Sequence, residues 1–430
     1  MEEEERVWSW GAGTEGQLGN CSLEDEVSPQ LIRQPPLSVS NVSSLACGAA
    51  HVIAITSSGK VLSWGRGSSG QLGHGEFVNN SLYPKPVTSL DPYFITNVSA
   101  GWSHSAFVSD TGCLFTCGDA SFGQLGHGDY TSRCSPAKVS SFDNRRVAKV
   151  ACGMRHSLVL LEDCSSNQVY GFGSGKRGQL GVSKDRVKSI NLPQVVSGFE
   201  DVETVDIAAN GDHSAAISVD GNLYIWGRGF KGYEDANSPR RLNSTLSFTK
   251  VALGWNHALT LTAAGEVYMI GGNHLGVLSN HWSTSSAKQL HGNAFEYLVL
   301  EETIITLLVH TYDISNLILK NASSIAMDIA LIFVMLCHSV VDLREANMEK
   351  VPGLDDTKVV DIAAGAEHSI LVTENGEIKT WGWGEHGQLG LGDPCDRARP
   401  VTLNLGYDMD GVSSIRVYCG SGFTFALTKP

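Results

Sequence analysis

A short motif, Gly-x-x-His, recurs along this 430-residue chain and constrains its fold more than any other feature. Its histidines are His51, His104, His156, His213, His257 and His368, with Phe423 at the equivalent place in a seventh copy. Its glycines are Gly48, Gly101, Gly153, Gly254, Gly365 and Gly420, with Asn210 in the fourth copy. Successive copies are 53, 52, 57, 44, 111 and 55 residues apart, so only the fifth interval departs from a period near 52. This regularity indicates a repeat architecture, whereas length alone suggests two or three domains of ~150 residues.

Each repeat continues in the same way after its motif. An alternating apolar strand, a tight turn and a second strand lead to an aromatic-Gly pair, as in residues 51–65. A Gly-Gln-Leu-Gly signature then ends eight residues later, at Gly16–Gly19, Gly70–Gly73, Gly123–Gly126, Gly178–Gly181 and Gly387–Gly390. About four short strands per unit of this length predict radial blades. We therefore predict an all-β fold, a seven-bladed β-propeller.

The two ends of the chain supply the two halves of one repeat. The segment 7–19 carries a strand and a Gly-Gln-Leu-Gly signature, and the segment 415–427 carries the missing front half. Pairing of the terminal strands would close the ring and remove two exposed sheet edges. We expect one propeller over residues 6–428, preceded by an acidic tail at 1–5.

The long fifth interval predicts an insertion of about 62 residues between blades, at 289–350. This segment is rich in Leu and Ile and contains an apolar run at 325–341, short of the ~20 residues that span a membrane. Three alternatives remain open: a membrane helix, an amphipathic helix for a partner, and a poorly folded loop, which we favour. We expect a chain without 289–350 to be more soluble and more stable, and we expect no membrane span.

The combination of Gly-x-x-His, Trp-Gly-x-Gly and Gly-Gln-Leu-Gly in units of ~50 residues resembles the regulator of chromosome condensation repeat family. The resemblance covers about residues 6–290 and 350–428 and implies a seven-bladed propeller. It implies three kinds of role: guanine-nucleotide exchange on a small GTPase, ultraviolet-B sensing in plants, and adaptor surfaces. The secretion-regulating exchange-factor-like and plant ultraviolet-B-receptor-like members are the relevant groups. One fold hosts all these functions, so the resemblance does not choose among them.

The repeated histidines invite a metal or acid–base interpretation. A metal needs three or four ligands within ~2 Å of one point, which side chains spread around a ring do not provide. We expect each histidine to bond backbone groups inside its own blade, as a structural residue, with no metal and no cofactor. No hydrolase, Walker or dinucleotide motif occurs either. We therefore expect a protein that is not an enzyme and has no catalytic residues.

The residues between each glycine and histidine vary while the repeat around them does not. They occupy equivalent positions on every blade, so we expect them to form a partner-binding ring on one face. The candidates, including one residue from a Trp-Gly-Trp-Gly segment, are Trp102, Ser103, Met154, Arg155, Asp212, Trp255, Asn256, Glu367 and Trp383. The alternative is that the two tryptophans between Gly and His only cap neighbouring blades.

The net charge of the chain limits the classes of partner that it is expected to bind. A net charge of −14 and an acidic N-terminus argue against nucleic acid and chromatin as direct partners. We expect a protein partner, with a small GTPase as the candidate, for an interaction scaffold that acts as exchange factor or adaptor. The alternative is an ultraviolet-B photoreceptor, against which we expect no contiguous tryptophan cluster, because Trp102 and Trp255 lie three repeats apart. Ten cysteines without a Cys-x-x-Cys pair, and no signal sequence, favour the cytoplasm or nucleus.

Overall fold

The computed structural model describes residues 5–33, 35, 41–162, 168–182, 185, 187–230, 234–272, 348–406 and 412–429. The chain begins with two strands of blade 7, β1 (Arg6–Gly11) and β2 (Glu26–Leu31). Blade 1 contains β3 (Val42–Cys47), β4 (His51–Thr56), β5 (Val61–Arg66) and β6 (Asn80–Pro86). Blade 2 contains β7 (Ile95–Ala100), β8 (His104–Ser109), β9 (Leu114–Gly118) and β10 (Arg133–Lys138). Blade 3 contains β11 (Arg146–Cys152), β12 (His156–Glu162), β13 (Val169–Ser174) and β14 (Ser189–Val195).

The remaining blades repeat this plan. Blade 4 contains β15 (Thr204–Asn210), β16 (His213–Ser218), β17 (Leu223–Gly227) and β18 (Ala236–Arg241). Blade 5 contains β19 (Phe248–Leu253), β20 (His257–Thr262), β21 (Val267–Gly271) and β22 (Met348–Lys350). Blade 6 contains β23 (Val359–Ala364), β24 (His368–Thr373), β25 (Ile378–Gly382) and β26 (Arg397–Leu403). Blade 7 is completed by β27 (Ser414–Cys419) and β28 (Phe423–Lys429). Two short 3₁₀ turns lie at Thr88–Leu90 and Ser140–Phe142.

Every blade is a four-stranded antiparallel sheet whose first strand lies innermost. The first strands of successive blades contact one another around the ring, and β27 contacts β3. The second strands are buried apart from the last residue of β12 and of β28, because the adjacent blades cover both faces of each sheet. The core therefore sits between blades: one cluster joins Phe423 and Phe425 of blade 7 to Val52 and Trp64 of blade 1.

The ring closes through the chain ends. Strand β1 pairs with β28 in continuous antiparallel register, from Arg6 opposite Thr428 to Gly11 opposite Phe423. The sheet of blade 7 therefore reads β2-β1-β28-β27, with strands from both termini in one blade. The predicted seven-bladed propeller and its closure are confirmed.

The insertion was predicted to lie between blades, and this placement is wrong: it interrupts blade 5 between the third and fourth strands, because residues 348–350 supply the fourth strand. Its last three residues, 348–350, form β22, which pairs with β21 through Tyr268 opposite Lys350. The rest of the insertion, 289–347, lies outside the described residues, and so do the apolar run at 325–341 and residues 1–4. Within the described ranges no helix is long and apolar enough to cross a membrane.

Candidate functional site

The motif histidines join each blade to the next. The imidazole Nε2 of His156 in blade 3 lies 2.9 Å from the hydroxyl of Ser214, which follows the histidine of blade 4. The same contact joins His51 to Ser105, His104 to Ser157, His257 to Ser369 and His368 to Thr424, at 2.9 to 3.1 Å. The expectation that each histidine bonds backbone groups inside its own blade is therefore wrong. The second strand of the next blade packs against the ring and places a hydroxyl opposite it.

The hydroxyl in this contact makes a second hydrogen bond, to a backbone carbonyl. Ser214 donates to the carbonyl oxygen of Gln179, in the Gly-Gln-Leu-Gly segment of blade 3, at 2.7 Å. A hydroxyl has one proton to donate, so Nε2 of His156 must be the donor in the first bond. Gln179 also accepts a bond from the indole of Trp226 at 2.9 Å. The two repeat motifs of the sequence thus meet between blades at four described junctions, where Ser105, Ser157, Ser214 and Thr424 each donate to the glutamine carbonyl of the preceding blade.

Two repeats lack this bond, and both depart from the motif in a complementary way. Blade 5 has Ala258 in place of the serine, and His213 contacts the carbonyl oxygen of Trp255 instead, at 2.7 Å. In blade 7 the histidine is replaced by Phe423, and the next blade offers Val52 in place of the serine. Each substitution is matched across the interface, since a buried polar group without a partner is costly.

The first position of the motif must be glycine for steric reasons. A Cβ on Gly153 would lie 2.2 Å from Cε1 of His156, because the imidazole ring covers the glycine Cα. The same clash arises in the other Gly-x-x-His copies and, with the ring of Phe423, at Gly420. Glycine and histidine therefore form one unit, and the close packing explains why they recur together.

Burial keeps these histidines neutral. Desolvation lowers the pKa of His51, His156, His257 and His368 to about 3, and that of His104 to about 4. Within the described part of the chain, no group of three or more His, Cys, Asp and Glu side chains is placed to hold a metal ion. The arrangement supports a structural role for the histidines.

The Gly-x-x-His loops follow the innermost strands and so surround the ring axis. We call the side of the propeller that carries these loops the loop face. Backbone hydrogen bonds join the loops of adjacent blades, from Trp102 N to Gly153 O at 3.3 Å and from Trp255 N to Ala366 O at 3.0 Å. Beneath them a cavity of about 270 Å³ is lined by residues of all seven innermost strands. The loop face is thus a set of seven loops held rigidly around one channel.

Two tryptophans from distant repeats meet over this channel. The indoles of Trp102 in blade 2 and Trp255 in blade 5 are stacked, with ring centroids 5.4 Å apart and planes 29° apart. The expectation that these residues form no contiguous cluster is wrong. Three repeats separate them along the ring, but near the axis the loops of opposite blades converge. Gly211 leaves space beside them, since a Cβ there would lie 3.6 Å from the Trp255 ring.

The other predicted contact residues differ in exposure. Arg155 is exposed, whereas Ser103, Met154, Asp212, Asn256 and Trp383 are half-buried. Glu367 is 8% exposed and accepts a hydrogen bond from Asn256 of the preceding blade. Its carboxylate therefore offers little surface to a partner.

Asp212 and Trp383 also have neighbours on the loop face. Asp212 accepts a hydrogen bond from the side chain of Gln179 at 2.8 Å. Trp383 packs edge-on against His386, with ring centroids 5.1 Å apart. Gln179 belongs to the blade before Asp212, whereas His386 lies in the same segment of blade 6 as Trp383.

Two features of the loop face were missed from the sequence. Arg66, after the closing glycine of blade 1, reaches the carbonyl oxygen of Trp102 at 3.2 Å and so supports the tryptophan pair. Phe122, directly before the Gly-Gln-Leu-Gly signature of blade 2, lies beneath two cations of blade 3, Arg155 and Lys176. Both contacts cross between blades. The sequence signal for Arg66 and Phe122 is that the residues at their positions vary among the repeats.

The sequence matches the model of one protein family, the RCC1-like domain, over residues 6–426. It is 28% identical over 416 residues to the Ultraviolet-B receptor UVR8 of Arabidopsis thaliana, covering 95% of this chain and 78% of that protein. It is 26% identical over 438 residues to the Secretion-regulating guanine nucleotide exchange factor of Bos taurus, covering 98% of this chain and 83% of that protein. The solved structure of Prp20p from Saccharomyces cerevisiae has the same fold, with a TM-score of 0.74 and 21% identity, covering 99% and 92% of the two chains.

Proposed function

The chain belongs to the RCC1-like domain family, and on this basis we propose that it binds a small GTPase on its loop face and promotes guanine-nucleotide exchange. The similarity to a secretion-regulating exchange factor along nearly the whole chain supports this proposal. Prp20p, which shares the fold, binds Gsp1p and histones. The protein would act as an interaction scaffold and not as an enzyme. Eight described cysteines, all free thiols, support our proposal that it works in the cytoplasm or nucleus.

The observation that carries the proposal is the loop face itself. Its side chains vary from blade to blade, while the inter-blade hydrogen bonds and the buried histidines hold every loop in place. A rigid surface loses little conformational entropy when a partner binds. At its centre the stacked Trp102 and Trp255 present large half-buried rings, the residue type that most often anchors an interface.

Exchange needs binding energy and no catalytic group. A scaffold that binds the nucleotide-free GTPase more tightly than the GDP-bound form must, by reciprocity, weaken the binding of GDP. A tenfold preference corresponds to about 1.4 kcal/mol of coupling, which one buried aromatic contact can supply. The proposal therefore requires only that the loop face discriminate between two forms of its partner.

The test is the release of fluorescent GDP from a panel of purified small GTPases. We expect faster release with one member of the panel, and loss of the effect in the double variant Trp102→Ala, Trp255→Ala. Phe94→Ala is the matched control, because Phe94 is an aromatic residue, 46% exposed, beside the hairpin turn at Gly59 on the opposite face. Binding without faster release would support an adaptor instead. Absence of binding to every GTPase, or equal effects of both variants, would contradict the proposal.

The second candidate function, an ultraviolet-B photoreceptor, is favoured by the stacked tryptophan pair. Two indoles in contact couple their excited states, and this chain shares 28% identity with the Ultraviolet-B receptor UVR8. Size-exclusion chromatography before and after ultraviolet-B illumination tests this function. A dimer that dissociates on illumination, and does not do so with Trp255→Phe, would support it. An elution volume that light leaves unchanged would exclude it.

A further inference from the structure

A pair of cations on one aromatic ring stands out on the loop face. The guanidinium carbon of Arg155 lies 4.8 Å from the ring centroid of Phe122, and the ammonium of Lys176 lies 5.5 Å from it. Phe122 belongs to blade 2, whereas both cations belong to blade 3. The ring therefore gathers two positive charges at one junction between blades. We call these three side chains the cation junction.

Neither cation is neutralised within the described residues. No ion pair forms at Arg155 or Lys176 there, although the chain as a whole carries a net charge of −14. The carboxylates of the flanking loops bond to neutral groups instead: Asp119 accepts from the side chains of Ser121 and Gln124, and Asp212 accepts from Gln179. In contrast, the neighbouring Arg177 is paired with Asp235 at 3.2 Å.

The two charges lie close enough to repel each other. Their distances from the shared centroid place them at most about 10 Å apart, which is about one Debye length at about 0.1 M salt. An anion placed between or beside them would relieve this repulsion. The ring already restricts both flexible side chains, so an incoming anion meets a partly ordered site.

We propose that the cation junction binds an acidic peptide segment of a protein partner, one that presents at least two carboxylates. Each cation rests separately against the ring, so the junction offers two contact points rather than one. Alternate residues of an extended strand project to one side about 7 Å apart, within the upper limit of about 10 Å for the distance between the two cations. Met154, adjacent to Arg155, lies in the loop hydrogen-bonded to that of Trp102, so the acidic segment would run beside the tryptophan pair.

This inference rests on the proposed function only in placing the partner on the loop face. Its test uses the full chain and a fluorescein-labelled octaglutamate peptide, with binding followed by fluorescence anisotropy at about 20 mM and about 200 mM salt. We expect binding at low salt that weakens as salt rises. In the double variant Arg155→Glu, Lys176→Glu we expect binding to weaken at least tenfold.

The matched control reverses two charges on the opposite face. Lys60→Glu with Arg146→Glu produces the same change in net charge, at side chains that are 48% and 54% exposed and lie beside hairpin turns. We expect this control to weaken binding less than threefold. Phe122→Leu keeps both cations and removes the ring, and we expect an intermediate effect.

Three results would overturn the inference. The first is that octaglutamate does not bind at low salt. The second is that the two charge-reversed variants lose the same amount of binding affinity. A peptide of the same length with a single phosphoserine that binds at least tenfold more tightly than octaglutamate would assign the junction to phosphate. None of these readouts involves a GTPase, so a negative exchange assay leaves the peptide measurement interpretable.

Discussion

Acid should unfold this propeller in a pH range where most proteins are stable, because of its buried motif histidines. An unfolded histidine has a pKa near 6.5, whereas burial lowers the pKa of five of these histidines to about 3 or 4. The folded protein therefore binds fewer protons than the unfolded chain between these values. The stabilisation is complete above pH 6.5 and is lost progressively as the pH falls toward 3.

The size of the effect follows from the shifts. Between pH 8 and pH 5 each such histidine lowers the free energy of unfolding by about 2 kcal/mol, at 1.36 kcal/mol for each pH unit below 6.5. Five of them amount to about 10 kcal/mol, comparable with the entire stability of a typical domain. The half-buried His127 adds to this in the same direction. The carboxylate of Asp129 does not contribute in this range, because its pKa is lowered to about 2 from 3.8.

The assay is urea unfolding followed by tryptophan fluorescence between pH 5 and pH 8 at constant ionic strength. A variant supplies the internal reference: His156→Phe with Ser214→Val copies the Phe423 and Val52 pair of the natural sequence. It removes one titrating group, and Gln179 keeps a second donor in the Trp226 indole. Between pH 8 and pH 5 we expect the free energy of unfolding of the variant to fall by about 2 kcal/mol less than that of the parent protein. A urea midpoint of the parent protein that stays constant over this pH range would refute the reasoning. An identical fall in the free energy of unfolding of the two proteins would refute it as well.

Three further outcomes follow from the packing. Gly153→Ala should lower the free energy of unfolding by about 3 kcal/mol, because the added Cβ would lie 2.2 Å from His156. Gly422→Ala is the control: its added Cβ would have no atom nearer than 3.6 Å, so it should lower the free energy of unfolding by under about 1 kcal/mol in the same urea assay. Deletion of 423–430 removes β28 and reopens the ring, so calorimetry should show a broad transition or none in place of one cooperative peak. Deletion of 289–347 should preserve the melting temperature or raise it. Deletion of 289–350 also removes β22 and should lower the melting temperature, which replaces the expectation from the sequence that this larger deletion stabilises the chain.

The fold was accessible from the sequence because its determinants are local. A glycine beneath a histidine ring and glycines in hairpin turns impose the same geometry in every repeat, so their spacing reveals the blades directly. The terminal half-repeats, 7–19 and 415–427, indicated closure for the same reason. Counting repeats could not tell where the insertion ends, since the short edge strand β22 at 348–350 carries no motif of its own.

The site was less accessible because its contacts cross between blades. The sequence indicated that the Gly-x-x-His loops share one face, but not that His156 bonds to Ser214 of the next blade. The hydroxyl in this bond stands next to the following histidine of the repeat, and that recurrence was the available signal. The stacking of Trp102 on Trp255 had no such signal, since three repeats separate them.

The sequence by itself determined the number of blades, the closure of the ring and the face on which variable residues gather. These depend on turns, strands and steric contacts within one repeat, which short motifs encode. Only the tertiary structure decided which variable residues meet: the tryptophan pair over the channel and the two cations on Phe122. The physical reason is geometric. Near the axis of a narrow ring, the distance between side chains depends on the radius and on the direction in which each loop points, and not on their separation along the chain.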